Sequence, residues 1–366
     1  MTTDLEAVSA PSRVADLDEG ISVEELQLAA RNHGLPLEAL RFDLTPPGLH
    51  YLLTHYDIPA VDPDTFRLAV DGAIDTSVSL DLDAIRSRPR VSTVVTLECA
   101  GNGRARLRPR PVSQPWLVEA VGTSRWTGTP LAPLLREAGL HDGAVDVVFT
   151  GADHGIERGV EQDYQRSLPV REAMRDDVLL AYEMNGAPLP PQHGYPLRLV
   201  VPGWYGMAHV KWLTRIDVVA DPFDGFQMRA YCVRQQPEDH GTPLTRIEPR
   251  ALLVPPGFPD FMSRTRVLRA GRTIVEGRAW SGWAPVDAVD VSVDEGQTWT
   301  SATLEPAPDR WGWARWAWTW EATAGSYVLS ARASDASGRS QPVDPSWNRG
   351  GFANNLVQRV AVTVIS

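Results

Sequence analysis

Val94-Val95-Thr96-Leu97-Glu98-Cys99-Ala100-Gly101-Asn102-Gly103-Arg104 changes character at its single cysteine. The β-branched run from Val91 to Glu98 reads as a strand. Gly101, Asn102 and Gly103 then supply the backbone freedom of a sharp turn. Cys99 is thereby held at the mouth of a strand. Cys99 and Cys232 are the only cysteines in 366 residues, so neither a disulfide framework nor a CxxC zinc pair is available. A free cysteine is usually a small buried hydrophobe. Here glycines and Arg104 follow it, and a loop beside a cation is the setting that lowers a thiol pKa. A thiolate is in turn a preferred ligand of soft metal centres.

Upstream, residues 1–45 read as an N-terminal extension with one helix over 22–32, capped by Ser22 and carrying Glu24 and Glu25 in its first turn. Phe66 to Gly72 alternates like a strand, and residues 80–87 read as a short helix. Downstream, Arg104, Arg106, Arg108 and Arg110 either wall an anionic ligand or form a solvated edge. Residues 122–131 lead into a helix over 131–138, closed by Gly139. Residues 145–149 read as an apolar strand and residues 150–155 as a polar loop. Helices this few exclude a regular βαβ repeat and point to an α+β mixed sheet.

Between Gln192 and Trp212, an apolar strand over 197–201 is bracketed by loops that carry His193, Arg198, His209 and Lys211. Each histidine alone reads as structural. Together the four groups suit an anion such as phosphate, bound through charge-assisted hydrogen bonds. Residues 221–259 are proline-rich and read as a linker. From Arg266 onward, short β segments over 274–279, 286–293, 316–321, 326–333 and 357–364 alternate with turns, the pattern of a β-sandwich. The 13 tryptophans, several between Trp311 and Trp320, point to a tryptophan-rich core or interface.

A chain of this length suggests two domains. The content of 43% hydrophobic and 22% charged residues is that of a globular protein. A net charge of −11 argues against nucleic-acid and anionic-membrane partners. No run of eighteen apolar residues occurs, and residues 1–20 lack an apolar signal core and a twin arginine, so a cytoplasmic protein is expected.

Thr96 to Arg104, combined with His193-Gly194-Tyr195-Pro196-Leu197-Arg198 and Val210-Lys211-Trp212, resembles the sulfite oxidase family from about Pro47 to the C-terminus. The resemblance implies an α+β molybdopterin domain over 46–250 and an immunoglobulin-like dimerisation domain over 251–366. It implies Cys99 as molybdenum ligand, with Arg104 near the metal and Tyr231 as active-site tyrosine, although Ala230 replaces an acidic neighbour. Tyr51, His55, Asp153, His193, Arg198, His209 and Lys211 fall where the family holds the molybdopterin and its phosphate. Leu53 and Thr54 stand where the family has an arginine and an asparagine, and Arg349 is displaced by one position, so a dianion such as sulfite meets fewer guanidinium groups. No haem motif is present, so electrons pass to an external acceptor. A homodimer acting on a small oxyanion is implied. Three readings stay open: oxidative oxygen-atom transfer such as sulfite to sulfate, reduction of an oxidised sulfur or nitrogen compound, and a metal-free binding protein of the same fold.

Overall fold

A computed structural model describes residues 4–10 and 12–366. The N-terminal part is built on two sheets. In the first, Val78–Leu80, Leu68–Gly72, Leu213–Val219, Asp146–Glu157 and Val160–Pro169 lie side by side in that order. Leu68–Gly72 runs parallel to Leu213–Val219, and the other pairs are antiparallel, so the sheet is mixed. The second orders Val91–Glu98, Val121–Pro130, Leu179–Met184 and Ala187–Pro188, with Arg198–Val200 also paired to Leu179–Met184. Phe149, Leu168, Leu199 and Ile216 are fully buried in the core these elements share.

The helix over Val23–Arg31 starts after Ser22, as its capping pattern requires. The Ser22 side chain accepts from Glu25 N–H, and the Glu25 carboxylate accepts from Ser22 N–H. Glu25 also pairs with Arg110 at 2.9 Å in a buried contact, whereas Arg106 and Arg108 are exposed. The four alternating arginines therefore form no common wall.

Other local expectations are corrected. Residues 150–155 are not a loop but part of the Asp146–Glu157 strand, whose register shifts between Thr150 and His154. Cross-strand pairing through a turn at Arg158 and Gly159, both at positive φ, outweighs the polar composition. Residues 122–129 are strand as well, enclosed between two others. In the 80–87 stretch the helix spans only Leu82–Arg86, because Asp81 caps it and Val78–Leu80 is strand. Residues 221–259 are no linker: they hold the helix Phe226–Ala230, the paired strands Cys232–Val233 and Thr242–Pro243, and the strand Arg250–Leu253.

The C-terminal part faces a four-stranded sheet against a six-stranded one. The first orders Arg250–Leu253, Gly271–Trp280, Ala314–Ala322 and Thr303–Glu305. The second orders Phe258–Pro259, Arg266–Arg269, Val360–Ile365, Gly325–Asp335, Val286–Ser292 and Thr300–Ser301. Leu253, Val275, Trp316, Leu329 and Val362 fill the space between them. The tryptophans divide their work. Trp316 belongs to this core, whereas Trp280, Trp311 and Trp313 bind the N-terminal part through indole N–H donors to Glu98 Oε2 (2.7 Å), Asp177 Oδ2 (2.7 Å) and Asp43 O (2.9 Å). The Trp311 region thus seals a seam within one chain, and lends no support to an interface between copies. At the centre of the seam, Arg250 Nε lies 2.7 Å from Glu98 Oε1, with both side chains only 1% exposed. Among the described residues no helix is long and apolar enough to cross a membrane.

Candidate active site

Cys99 leaves the end of the Val91–Glu98 strand with its N–H donating to Ala120 O at 2.9 Å. The turn beyond it works differently from the expectation. Only Gly103 needs a glycine's backbone freedom, at φ +92. Gly101 is required by proximity: a Cβ there would stand 2.7 Å from the Arg104 guanidinium carbon. Asn102 is a buried brace whose amide donates to Glu98 Oε1 and Val118 O, both at 3.1 Å, and accepts from Ala120 N–H at 3.1 Å. A returning segment closes the loop from outside. Ala353 N–H donates to Ala100 O (2.9 Å) and Asn354 Nδ2 to Gly103 O (2.7 Å).

The thiol faces a cleft of about 660 Å³. Tyr51, His55, Cys99, Asp153, His193, Arg198, His209, Lys211 and Tyr231 all line it, drawn from strands and loops up to 180 residues apart. Arg104 stands outside this cleft, in a larger adjoining one that also holds Arg349. Its Nε donates to Gly350 O at 2.9 Å, and its guanidinium carbon lies 5.1 Å from the centre of the Phe352 ring. Burial pushes the Cys99 thiol up, against the downward pull of Arg104. The expected low thiol pKa is thus not a property of the protein alone, because desolvation of a thiolate outweighs one nearby cation.

Arg198 and Lys211 are buried and, among the described residues, hydrogen-bond only to backbone carbonyls, while the Asp153 carboxylate acts on Lys211 from beyond ion-pair distance. Arg198 donates from Nη1 to His193 O (2.9 Å) and from Nη2 to His209 O (3.1 Å), while its Nε has no partner among the described residues. Lys211 Nζ donates to Leu53 O (3.0 Å) and Gln192 O (3.2 Å). Among the described residues neither cation has a carboxylate within ion-pair distance. Burial lowers Lys211 to about 7, with Arg198 adding to the effect, and lowers Arg198 to about 10. Burial also raises Asp153 to about 6, and its Oδ1 has no partner among the described residues. Desolvation holds His193 near 2 and His209 near 3, so both rings are neutral.

His209 differs from its expected role. Its Nδ1 accepts from Val201 N–H (3.1 Å) and its Nε2 donates to Trp204 O (3.0 Å), so both ring nitrogens serve the backbone. It positions Arg198 through its carbonyl. Two lining residues were missed. His50 is buried, its Nε2 has no partner among the described residues, and burial lowers it to about 4. Tyr164 donates to Met207 O at 2.8 Å, and its ring lies 5.0 Å from that of His55. Nothing local singles out His50, but the alternation of Tyr164, Arg166 and Leu168 along one strand could have shown that Tyr164 faces inward. Finally, His55 Nε2 and the Tyr231 hydroxyl are hydrogen-bonded at 2.8 Å.

Buried cations bonded only to backbone carbonyls among the described residues, orphaned polar atoms and one thiol at the edge fit a polar, anionic, metal-bearing group. Among the described residues no three His, Cys, Asp or Glu side chains are placed to hold a metal ion, so a metal at Cys99 would take its other ligands from outside the protein.

The family described as "Oxidoreductase molybdopterin binding domain" matches residues 55–227, and "Mo-co oxidoreductase dimerisation domain" matches residues 260–365. Sulfite oxidase of Gallus gallus is 38% identical over 348 residues, covering 88% of this chain and 73% of that protein. Mitochondrial sulfite oxidase of Rattus norvegicus is 36% identical, and the chain spans 62% of its length. The sulfane dehydrogenase SoxCD of Paracoccus pantotrophus superposes with a TM-score of 0.79 at 23% identity, covering 100% of this chain and 95% of that one, a likeness of fold.

Proposed function

Because the chain belongs to the sulfite oxidase family of molybdopterin oxidoreductases, we propose that it catalyses a two-electron oxygen-atom transfer with sulfite, oxidised to sulfate, as substrate. The observation that carries this reading is the Cys99 thiol opening on a cleft whose Arg198 and Lys211, among the described residues, bond only to backbone carbonyls. When bound, a molybdenum-pterin supplies the oxo-transfer and redox chemistry. Cys99 would ligate the metal. Arg198 and Lys211 would hold the phosphate, with neutral His193 beside them. Asp153 and His50, each with a buried atom that has no partner among the described residues, would meet the polar edges of the pterin together with Tyr51. His55 holds the Tyr231 phenol, and Arg104 and Arg349 on the adjoining cleft orient an incoming small oxyanion. Electrons leave to an external acceptor. Residues 1–45 form an extension, 46–250 the molybdopterin domain, and 251–366 an immunoglobulin-like domain through which two copies pair. The reductive and metal-free readings are not favoured.

Enzyme produced in a host that makes the cofactor is expected to carry near-stoichiometric molybdenum and to reduce ferricyanide in a sulfite-dependent way. Full metal content without sulfite-dependent reduction would reject the substrate.

The Lys211 charge makes cofactor retention pH-dependent. Its ammonium is about half protonated at pH 7 in the free site and fully so beside a phosphate dianion, so binding takes up a proton. Pterin retention is expected to be tightest at or just below pH 7 and to weaken by up to about tenfold per unit between pH 7 and 9. Lys211→Met should lower pterin content and flatten that slope; an unchanged slope would exclude Lys211 as its source.

A further inference from the structure

Beside the Cys99 cleft lies the second one, of about 1970 Å³, many times the volume of a four-atom anion such as sulfite. Its inner end is cationic. Arg104 is buried there, its guanidinium hydrogen-bonded only to Gly350 O (2.9 Å) and Gln114 O (3.4 Å) among the described residues, and Arg349 lines the same cleft. Phe352 joins this end to the Cys99 cleft, since its ring lies 5.2 Å from that of Tyr231 and 5.1 Å from the Arg104 guanidinium carbon. Across the whole cleft arginines outnumber glutamates five to three, in a chain of net charge −11. Of those glutamates, Glu25 is held by Arg110, and Glu157 accepts from Gln227 Nε2 at 3.1 Å. A cleft of this sign in an acidic molecule gathers small anions.

Toward solvent the walls turn apolar. Val8, Ile156 and Leu28 line the same cleft and are 63%, 42% and 37% exposed. Apolar side chains left in water inside a concave, polar-rimmed surface mark a ligand groove, as scattered surface residues do not. The wall that carries Val8 is built rather than loose. Asp4 caps the turn Leu5–Val8 by accepting from Glu6 N–H (3.0 Å), and Ser9 Oγ accepts from Gly159 N–H (2.7 Å) in the turn after the Asp146–Glu157 strand. Farther along, Val112 N–H donates to Arg13 O (3.0 Å) and Ala15 N–H to Arg110 O (2.8 Å). The N-terminal extension is thus fastened on both sides of the cleft, so covering its apolar side chains costs little ordering.

We propose that this cleft admits alkanesulfinates, with the sulfinate head at Arg104 and Arg349 and the hydrocarbon tail along Val8, Leu28 and Ile156, and that the enzyme oxidises them to alkanesulfonates. The proposal rests on the sulfite reading above and widens its substrate class. A bare oxyanion leaves the apolar wall in water, whereas an amphiphilic one satisfies both ends of the cleft. In the reaction one S–O bond forms with the oxygen of water, both O–H bonds of that water break, and two protons are released. Sulfur loses two electrons, which reduce two equivalents of a one-electron acceptor, and the carbon–sulfur bond stays intact.

Calorimetric titration of the holoenzyme with alkanesulfonates, read beside ferricyanide reduction with alkanesulfinates and with sulfite, tests it. Each methylene half-covered by the wall should add about twofold in affinity, so hexanesulfonate is expected to bind about 30-fold more tightly than methanesulfonate. Hexanesulfinate is expected to be oxidised with a KM lower than that of methanesulfinate by a similar factor. Ile156→Asp and Val8→Asp should each cut the chain-length preference to below about tenfold, with molybdenum content and thermal midpoint reporting the fold. Affinity independent of chain length, or sulfite oxidised and hexanesulfinate not, would overturn this proposal alone. Hexanesulfinate oxidised and sulfite not would overturn sulfite as substrate and uphold the wider class. Loaded enzyme that oxidises neither overturns both. A preference unchanged in both variants would overturn the placement of the tail.

Discussion

Cys99→Ser is expected to lower sulfite turnover at least about 100-fold while leaving the fold and most of the pterin in place. Removing a group that merely supports a metal ligand typically costs 10–100-fold, and loss of the ligand itself should cost no less. The exchange removes little packing, because the hydroxyl is only slightly smaller than the thiol it replaces in the 6% exposed site. What changes is softness, since an alkoxide or neutral hydroxyl is a poor substitute for a thiolate. The protein does not lower the thiol pKa unaided, because burial raises it. Deprotonation must come with the metal, and serine, with its far higher intrinsic pKa, resists it. Steady-state kinetics together with metal analysis and the thiolate-to-molybdenum absorption band check this; turnover within tenfold of wild type would remove Cys99 from the reaction.

Arg250→Ala is expected to cost about 3–5 kcal/mol of stability, the range for removing one partner from a buried ion pair. Glu98 would keep its bonds from the Trp280 indole and the Asn102 amide but lose the cation 2.7 Å away. Arg250 also donates from Nη2 to Asn354 O at 2.5 Å, so the segment that braces the cysteine turn loosens at the same time. Denaturant midpoints measure the loss. Pairing Arg250→Met with Glu98→Gln should recover a good part of it, because no charge is then left buried alone. A single-variant cost below about 1 kcal/mol would show that water reaches the seam.

What could be read in the chain and what could not divide along a physical line. The strand delivering Cys99, the capped helix after Ser22, and the cluster of His193, Arg198 and Lys211 follow from local composition and spacing. So does the switch to short β segments after Arg266. The failures all depend on distant partners. Residues 150–155 look like a loop until the Val160–Pro169 strand pairs with them. The 221–259 segment looks like a linker until Arg250 meets Glu98 and Tyr231 meets His55. Gly101 and Asn102 read as turn residues, whereas one makes room for Arg104 and the other braces Glu98. His209 looked like a ligand because the backbone groups that occupy both its nitrogens leave no mark in the sequence around it.

The brace across the cysteine turn also sets an order of events during synthesis. Asn354, which closes on Gly103, lies 251 residues later in the chain. At roughly 5–20 residues per second, the cysteine turn waits about 10–50 s on the ribosome before its clasp exists. Through that interval the pocket has its walls but not its lock. The clasp on the cysteine turn therefore forms only after residue 354 has been made, and arrest of translation before residue 350 is expected to yield a product with lower pterin content than the full chain.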